Sequence, residues 1–447
     1  MRRSCSGCTL RTSLDAPPLL AEARAFFAAR GVADFRLTTG PVHGWRNRAR
    51  LAVRRGSGPG TPLVIGLFAA ASHDVVPVPR CAVHHPRVNA AVEALTQAAQ
   101  AAGTVPYDEA STAAPPADGA LRYVQLATHG SAPEAAVEVA LVWASPPPPP
   151  GAPPPPQLAR LAEGLRELAP PGLIAAVWAN YHPAPGNAVV GPHWARLHAA
   201  ADVAGGGAGP SSDDDEWHWE RFGGADVAFA PGAFLQANYG AFDALCAAVA
   251  AALPAGCQLV DFYAGTGPLG LAARASGSAA RLTAVEVTPA AAAPFAASAA
   301  RLAAAQGRAV AARMCVAPAG ENDALALLSQ GDALIVDPPR RGLDAALLAA
   351  LCAAPEGRGP ARRITTLCYV SCGFEALKRD ADALLRAGWA LASARAFQFF
   401  PGTDALETLA LFTRAAVADA PDADAPLVMQ AAAAVAKPRR RRRRLAK

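Results

Sequence analysis

The chain has no run of about twenty strongly apolar residues, which argues against a membrane-spanning helix. It also lacks any regular cysteine spacing: nine cysteines are scattered over 447 residues, which argues against a secreted disulfide scaffold and for a reducing compartment. Charge is sparse as well, at 17% of residues, and the formal net charge of +5 is exceeded by the run Arg439 to Arg444 together with Lys437 and Lys447. The remainder is near neutral, so global charge says little about partners. The terminal arginine run suits nucleic acid through counterion release, a nuclear address or a solubilising tail. No acid occurs among the first fourteen residues, which hold three arginines and several Ser and Thr. That is the composition of an organellar transit peptide, although the segment has no clear amphipathic face. A cytoplasmic or organellar location, chloroplast or mitochondrion, is expected.

What is present is enough chain for two or three domains with a substantial core. Apolar residues make up 52%, but alanine dominates them and much of it lies in low-complexity runs. Ser111 to Gly119, Ser145 to Pro156 and Gly205 to Glu216 read as linkers or insertions that cannot pack a core. Between them Arg48 to Val53, Leu63 to Phe68, Tyr123 to Thr128, Ala136 to Trp143 and Ile174 to Asn180 are strand-like, implying an α+β region. From about Ala228 the pattern changes. Helical spacing over Phe234 to Leu253 precedes strands Gln258 to Phe262, Leu282 to Glu286, Ala333 to Asp337 and Thr365 to Val370, with helices Pro289 to Gln306, Leu343 to Cys352 and Phe374 to Arg386 alternating. This predicts an α/β, mostly parallel, doubly wound sheet, closed by Leu391 to Phe399 and Leu406 to Phe412 as an antiparallel pair. The expected divisions are an amino-terminal region 1–90, an α+β region 91–228, the doubly wound domain 229–414 and a basic tail 415–447.

Gly265-Thr266-Gly267-Pro268-Leu269-Gly270 matches the glycine pattern of nucleotide-binding turns, a weak signal by itself. The strand before it ends in Asp261, whose charge would repel a pyrophosphate but suits a cofactor with a cationic amino-acid end. S-adenosyl-L-methionine is such a cofactor. Glu286 ends the next strand, where a carboxylate accepts ribose hydroxyls; that feature fits a nicotinamide cofactor equally, so Asp261 is what favours S-adenosylmethionine over it. Asp337-Pro338-Pro339-Arg340 follows a third strand; its prolines remove backbone donors and leave the Asp side chain and carbonyls as acceptors. The next residue is Arg340 rather than an aromatic, which argues against an amine target.

A thiol follows about 35 residues later, in Tyr369-Val370-Ser371-Cys372. Methylating carbon 5 of a uracil needs a thiolate to add at carbon 6, and a base to remove the carbon 5 proton afterwards. Cys372 and Glu407 are the right types in the right part of the sheet, whereas Cys352 and Cys368 read as small buried hydrophobes.

From Phe229 to Phe412 the chain resembles the RNA uracil-5-methyltransferase family. The likeness lies in Phe234-Leu235-Gln236-Ala237-Asn238, Asp261 to Gly267, Val285-Glu286, Asp337 to Gly342, Tyr369 to Cys372 and Thr403 to Thr408. The resemblance implies that Gln236, Tyr263, Glu286 and Asp337 contact S-adenosylmethionine, with Asp261, Gly265 and Gly267 in the same pocket, that Cys372 is the nucleophile and that Glu407 accepts the proton. Weaker likeness in Gly44 to Arg50, Gly66-Leu67-Phe68 and Pro79-Arg80-Cys81 is to the ribosomal-RNA branch that carries an iron-sulfur cluster and no added RNA-binding barrel. In that branch four cysteines hold a 4Fe-4S cluster. Cys5, Cys8 and Cys81 match three of them, and the position of the fourth would fall before Met1.

The chain departs from the family at Gly373, usually Asn, at Ala405, usually His, and at Pro268, often polar or small. The implied activity is formation of 5-methyluridine in ribosomal or transfer RNA by a monomeric, membrane-free enzyme. A cytosine-5 RNA methyltransferase is the alternative, but it needs a second cysteine beside Asp337-Pro338-Pro339. A non-catalytic RNA-binding protein of the same fold is the other. Arg46, Arg48 and Arg50, alternating along a strand, are the candidates for phosphate contact.

Overall fold

The computed structural model describes residues 7–8, 14–56, 63–109, 118–184, 188–199, 216–356 and 358–415. Cys5, most of Ser111 to Gly119 and Gly205 to Glu216, and nearly all of the basic tail lie outside the described residues. Helix α1 (Leu19–Ala28) and strand β1 (Arg36–Thr38) open the chain, followed by β2 (Arg48–Arg55), β3 (Leu63–Phe68), β4 (Val75–Pro77), α2 (Pro86–Ala101), β5 (Leu121–Thr128), β6 (Val137–Trp143), α3 (Pro156–Leu168), β7 (Ile174–Tyr181) and β8 (His193–Ala199). A sheet in the order β4-β3-β2-β5-β6-β7-β8 results. All its pairings are antiparallel except β6 with β7, which α3 connects as a crossover. Leu51, Val53, Val124, Val139 and Leu141 bury one face against Val88, Val92 and Leu95 of α2 and Leu158, Leu161 and Leu165 of α3. Pro86 and Pro156 sit in the first turns of these helices, where no backbone donor is lost.

A hairpin of β9 (His218–Phe222) and β10 (Ala225–Phe229) leads into the second half. There follow α4 (Tyr239–Ala252), β11 (Cys257–Phe262), α5 (Pro268–Ala275), β12 (Ala279–Glu286), α6 (Ala292–Gln306), β13 (Ala312–Val316), α7 (Asn322–Ala326), β14 (Ala333–Val336), α8 (Ala345–Ala353), β15 (Thr366–Ser371), α9 (Phe374–Arg386), β16 (Ala390–Phe397) and β17 (Glu407–Thr413). The sheet order is β1-β16-β17-β15-β14-β11-β12-β13. The pairings among β11 to β15 are parallel, and β17 runs antiparallel to both β15 and β16. The expected doubly wound sheet with an antiparallel closing pair is therefore present. Since β11 has β12 on one side and β14 on the other, its carboxyl end is the switch point at which such sheets open a crevice.

Several elements differ from the sequence pattern. The helix expected from Phe234 begins only at Tyr239, because the Asn238 side chain accepts a hydrogen bond from Ala241 N (3.1 Å) and donates one to Phe399 O (3.1 Å). Residues 230–238 stay as a loop, with Phe234 78% exposed. Strand β13, Ala312–Val316, has no fully buried residue and carries too weak an alternation to be read locally. Residues 19–38 fall within the amino-terminal stretch 1–90, yet they pack on the carboxyl half. Phe27 is fully buried and stacks on Phe35 at 4.6 Å, Phe26 meets Phe374 at 5.6 Å, and β1 pairs with β16.

Candidate active site

The carboxyl ends of β11, β12, β14 and β15 converge on one cavity of about 570 Å³, a size that suits a bound small molecule. Gln236, Tyr263, Gly265, Thr266, Glu286, Asp337, Pro338, Cys372 and Glu407 all line it. Parallel strands whose apolar runs each end in a polar residue bring those residues to the same edge, and so a spread of well over a hundred residues collapses into one site. The amino half closes the far wall with Val190 and Trp194, joined by Pro231, Gly232 and Ala233. Gly232 has φ +77°, and a Cβ there would lie 2.2 Å from Trp194 Cζ2. Neither Trp194 nor Val190 carried a motif. The only local cue was the glycine, which permits the close approach.

Two of the gathered side chains, Tyr263 and Glu286, are held in place by hydrogen bonds. Tyr263 adopts φ +60°, rare for a non-glycine residue; its hydroxyl donates to Asp344 Oδ2 (2.9 Å) and accepts from Asp344 N (3.0 Å). Glu286 Oε2 accepts from Gly265 N (2.9 Å) and Oε1 from Thr288 N (2.8 Å), so this carboxylate orders the glycine turn as well as facing the cavity. Gly267 does not line the cavity. It caps α5 at φ +84°, where a Cβ would meet Phe295 at 2.6 Å. Asp261 also lies beneath the pocket instead of in its wall: it is 1% exposed, and its Oδ2 accepts from Gly270 N (3.1 Å). Burial pushes its pKa up to about 8, with the Gly270 amide opposing and Asp337 and Glu286 adding.

The thiol and the carboxylate of the proposed chemistry share this environment. Cys372 is exposed to the cavity. Its pKa is raised by desolvation and by the charges of Glu407 and Asp337, while Arg340 lowers it. Glu407 is buried, and desolvation followed by Asp337 holds its pKa well above the ordinary carboxylate range, again opposed by Arg340. Burial raises Asp337 to about 7. Gly373 packs on Arg340 so closely that a Cβ would lie 2.5 Å from Arg340 O. Any side chain at this position would displace one of the two loops. Cys352 and Cys368 lie away from the cavity, Cys368 fully buried.

One expectation changes. Arg46, Arg48 and Arg50 do not form a free basic face: Arg46 Nε donates to Arg48 O (3.1 Å), Arg48 Nη1 donates to Leu235 O (3.4 Å), and burial lowers the pKa of both. Arg50 alone stays exposed. Arg46 instead sits over Trp45 and Phe400, close enough to Cys81 and Cys8 for both thiols to act on its charge. Cys5 lies outside the described residues, and among the described residues no third ligand-type side chain joins Cys8 and Cys81 in a metal-sized group.

A parallel sheet with this strand order, a carboxylate at the end of β12 and a glycine turn after β11 define the fold of S-adenosylmethionine-dependent class I methyltransferases. No family model matches the chain. It is 28% identical over 417 residues, 92% of its length and 96% of the relative's, to an uncharacterized RNA methyltransferase of Protochlamydia amoebophila. Over 93 residues, 21% of the chain and 20% of the relative, it is 39% identical to the 23S rRNA (uracil(1939)-C(5))-methyltransferase RlmD of Azoarcus sp.. Among solved structures it superposes on the Pyrococcus abyssi tRNA (uracil-54, C5)-methyltransferase in complex with S-adenosyl-L-homocysteine. That match has a TM-score of 0.64 and 21% identity, covering 92% of this chain and 86% of the other.

Proposed function

We propose that this chain methylates carbon 5 of a uridine in ribosomal or transfer RNA through a covalent adduct on Cys372. The observation that carries this reading is the presence of Cys372 and Glu407 in the same cavity as Gln236, Tyr263, Glu286 and Asp337. S-adenosylmethionine, when bound, supplies an electrophilic methyl group. The Cys372 thiolate adds to carbon 6, and the displaced electron pair makes carbon 5 nucleophilic toward that methyl. Glu407 then takes the carbon 5 proton; the electrons of that bond reform the ring double bond as the carbon–sulfur bond breaks and the thiolate returns. A high proton affinity suits Glu407 to taking a proton from carbon.

The test uses 5-fluorouridine RNA, whose fluorine cannot leave as a proton. It is expected to trap a denaturant-stable protein–RNA adduct in the wild type and none in Cys372→Ala, which should still bind S-adenosylhomocysteine. Glu407→Gln should accumulate a methylated adduct on ordinary uridine RNA. Methyl transfer by Cys372→Ala above a small residual rate would overturn the covalent route.

The iron-sulfur reading rests on Cys5, Cys8 and Cys81, of which Cys8 and Cys81 converge on Arg46, a cation suited to a negatively charged cluster. Anaerobically purified wild type should contain iron and acid-labile sulfide that Cys81→Ser lacks. Equal iron in both would remove Cys81 from the ligand set.

A further inference from the structure

Away from the cavity, one group of ligand-type side chains stands out among the described residues: His129, His218 and Glu220. His129 follows β5, while His218 and Glu220 are on β9, two positions apart and therefore on one face. A ring nitrogen of each histidine and a carboxylate oxygen of Glu220 all lie within 4.8 Å of one another. The imidazole centroids are 4.4 Å apart, and His218 Nε2 is 3.0 Å from Glu220 Oε1. On its other side His218 Nδ1 is 3.7 Å from Glu138 Oε2, on β6. His218 and Glu220 are only 5% and 6% exposed. His129 Nε2 and His218 Nδ1 are both buried without a hydrogen-bond partner.

His218 lies against two carboxylates, Glu220 at 3.0 Å from its Nε2 and Glu138 at 3.7 Å from its Nδ1. Buried carboxylates need a cation or hydrogen-bond donors beside them, and a buried ring nitrogen left unpaired, such as His129 Nε2, costs about 1–3 kcal/mol. A divalent cation held among the three side chains meets both needs, because it also uses the His129 lone pair.

We propose that His129, His218 and Glu220 bind a divalent transition cation of the zinc class, with Glu138 as the outer carboxylate that orients His218. Three nitrogen and oxygen ligands with a fourth position left for water are a known zinc arrangement, and a carboxylate behind a ligating imidazole is its usual support. The ion would act as a cross-link. It would tie the turn after β5, where Gly130 N donates to Glu220 Oε1 (2.8 Å), to the β9–β10 hairpin, next to the point where Tyr239 of α4 donates to Thr128 O (3.2 Å). The two halves that enclose the cavity meet here. This site does not depend on the methyl-transfer reading.

The experiment uses the full chain, stripped with a chelator and titrated with Zn²⁺ and Co²⁺. One equivalent should bind, and the Co²⁺ complex should show ligand-field bands without thiolate charge transfer, which separates this site from the cysteines. His129→Gln and Glu220→Gln should each weaken binding at least tenfold. Zinc should raise the unfolding midpoint of the wild type and not that of His129→Gln. Either of two results would overturn the proposal: no uptake by folded wild type, which would leave an imidazolium between two carboxylates, or uptake unchanged in both variants. Circular dichroism of His129→Gln, whose histidine is only partly buried, confirms that a loss of binding is not a loss of fold.

Discussion

At the scale of single residues, the reactivity of Cys372 depends on opposing neighbours. Burial, Glu407 and Asp337 favour its neutral thiol, and Arg340 is the cation that favours the thiolate. Only the thiolate attacks, and Glu407 must likewise be ionised to accept a proton, so the rate should climb as pH rises through these raised values. Removing Arg340 raises both pKa values further. In Arg340→Ala the rising limb of kcat/KM should move to higher pH, while Arg340→Lys should restore most of the wild-type profile. A profile that does not move would show that Arg340 faces solvent without acting on the thiol. The motif made this residue visible in the sequence. Its electrostatic role was not, because Arg340 and Cys372 lie on two loops whose close approach depends on the missing side chain of Gly373.

At the scale of elements, strand β12 delivers Glu286 to the cavity, and the glycine turn after β11 bonds back to it. Glu286→Ala removes a partner from the Gly265 amide and, on the proposed pocket assignment, the carboxylate that receives the cofactor ribose. The expected loss of S-adenosylhomocysteine affinity is about 2 kcal/mol, roughly 30-fold, by calorimetry. Asp337→Ala should lose less. Unchanged affinity in the Glu286 variant would overturn the pocket assignment. Most carboxyl-half elements were legible because each is a short apolar run stopped by a polar or glycine residue, a signal carried within one strand. The exceptions have physical causes: Asn238 caps α4 and leaves Phe234 in a loop, and β13 is an edge strand with too little burial to show alternation.

At the scale of the whole molecule, the first helix is part of the carboxyl-half core. Phe27 touches Phe35 and Phe374, Arg30 pairs with Asp382 at 2.6 Å, and Leu19 N donates to Asp404 Oδ1 (2.7 Å). Phe27→Ala should cost about 3–5 kcal/mol of stability, read as a lower urea midpoint reported by Trp389 in the same core. An unchanged midpoint would mean that α1 is an ornament on a sheet that stands without it. What the sequence by itself determined was the alternating strand–helix order after Ala228 and the residues at the strand ends, since hydrophobic periodicity and its interruption are local properties. Tertiary structure alone decided that residues 19–38 complete a sheet formed hundreds of residues later, that Arg46 and Arg48 turn inward, that Trp194 closes the cavity, and that His129 meets His218. Those outcomes depend on contacts between distant segments, and the free energy of such contacts leaves no repeating pattern in either segment.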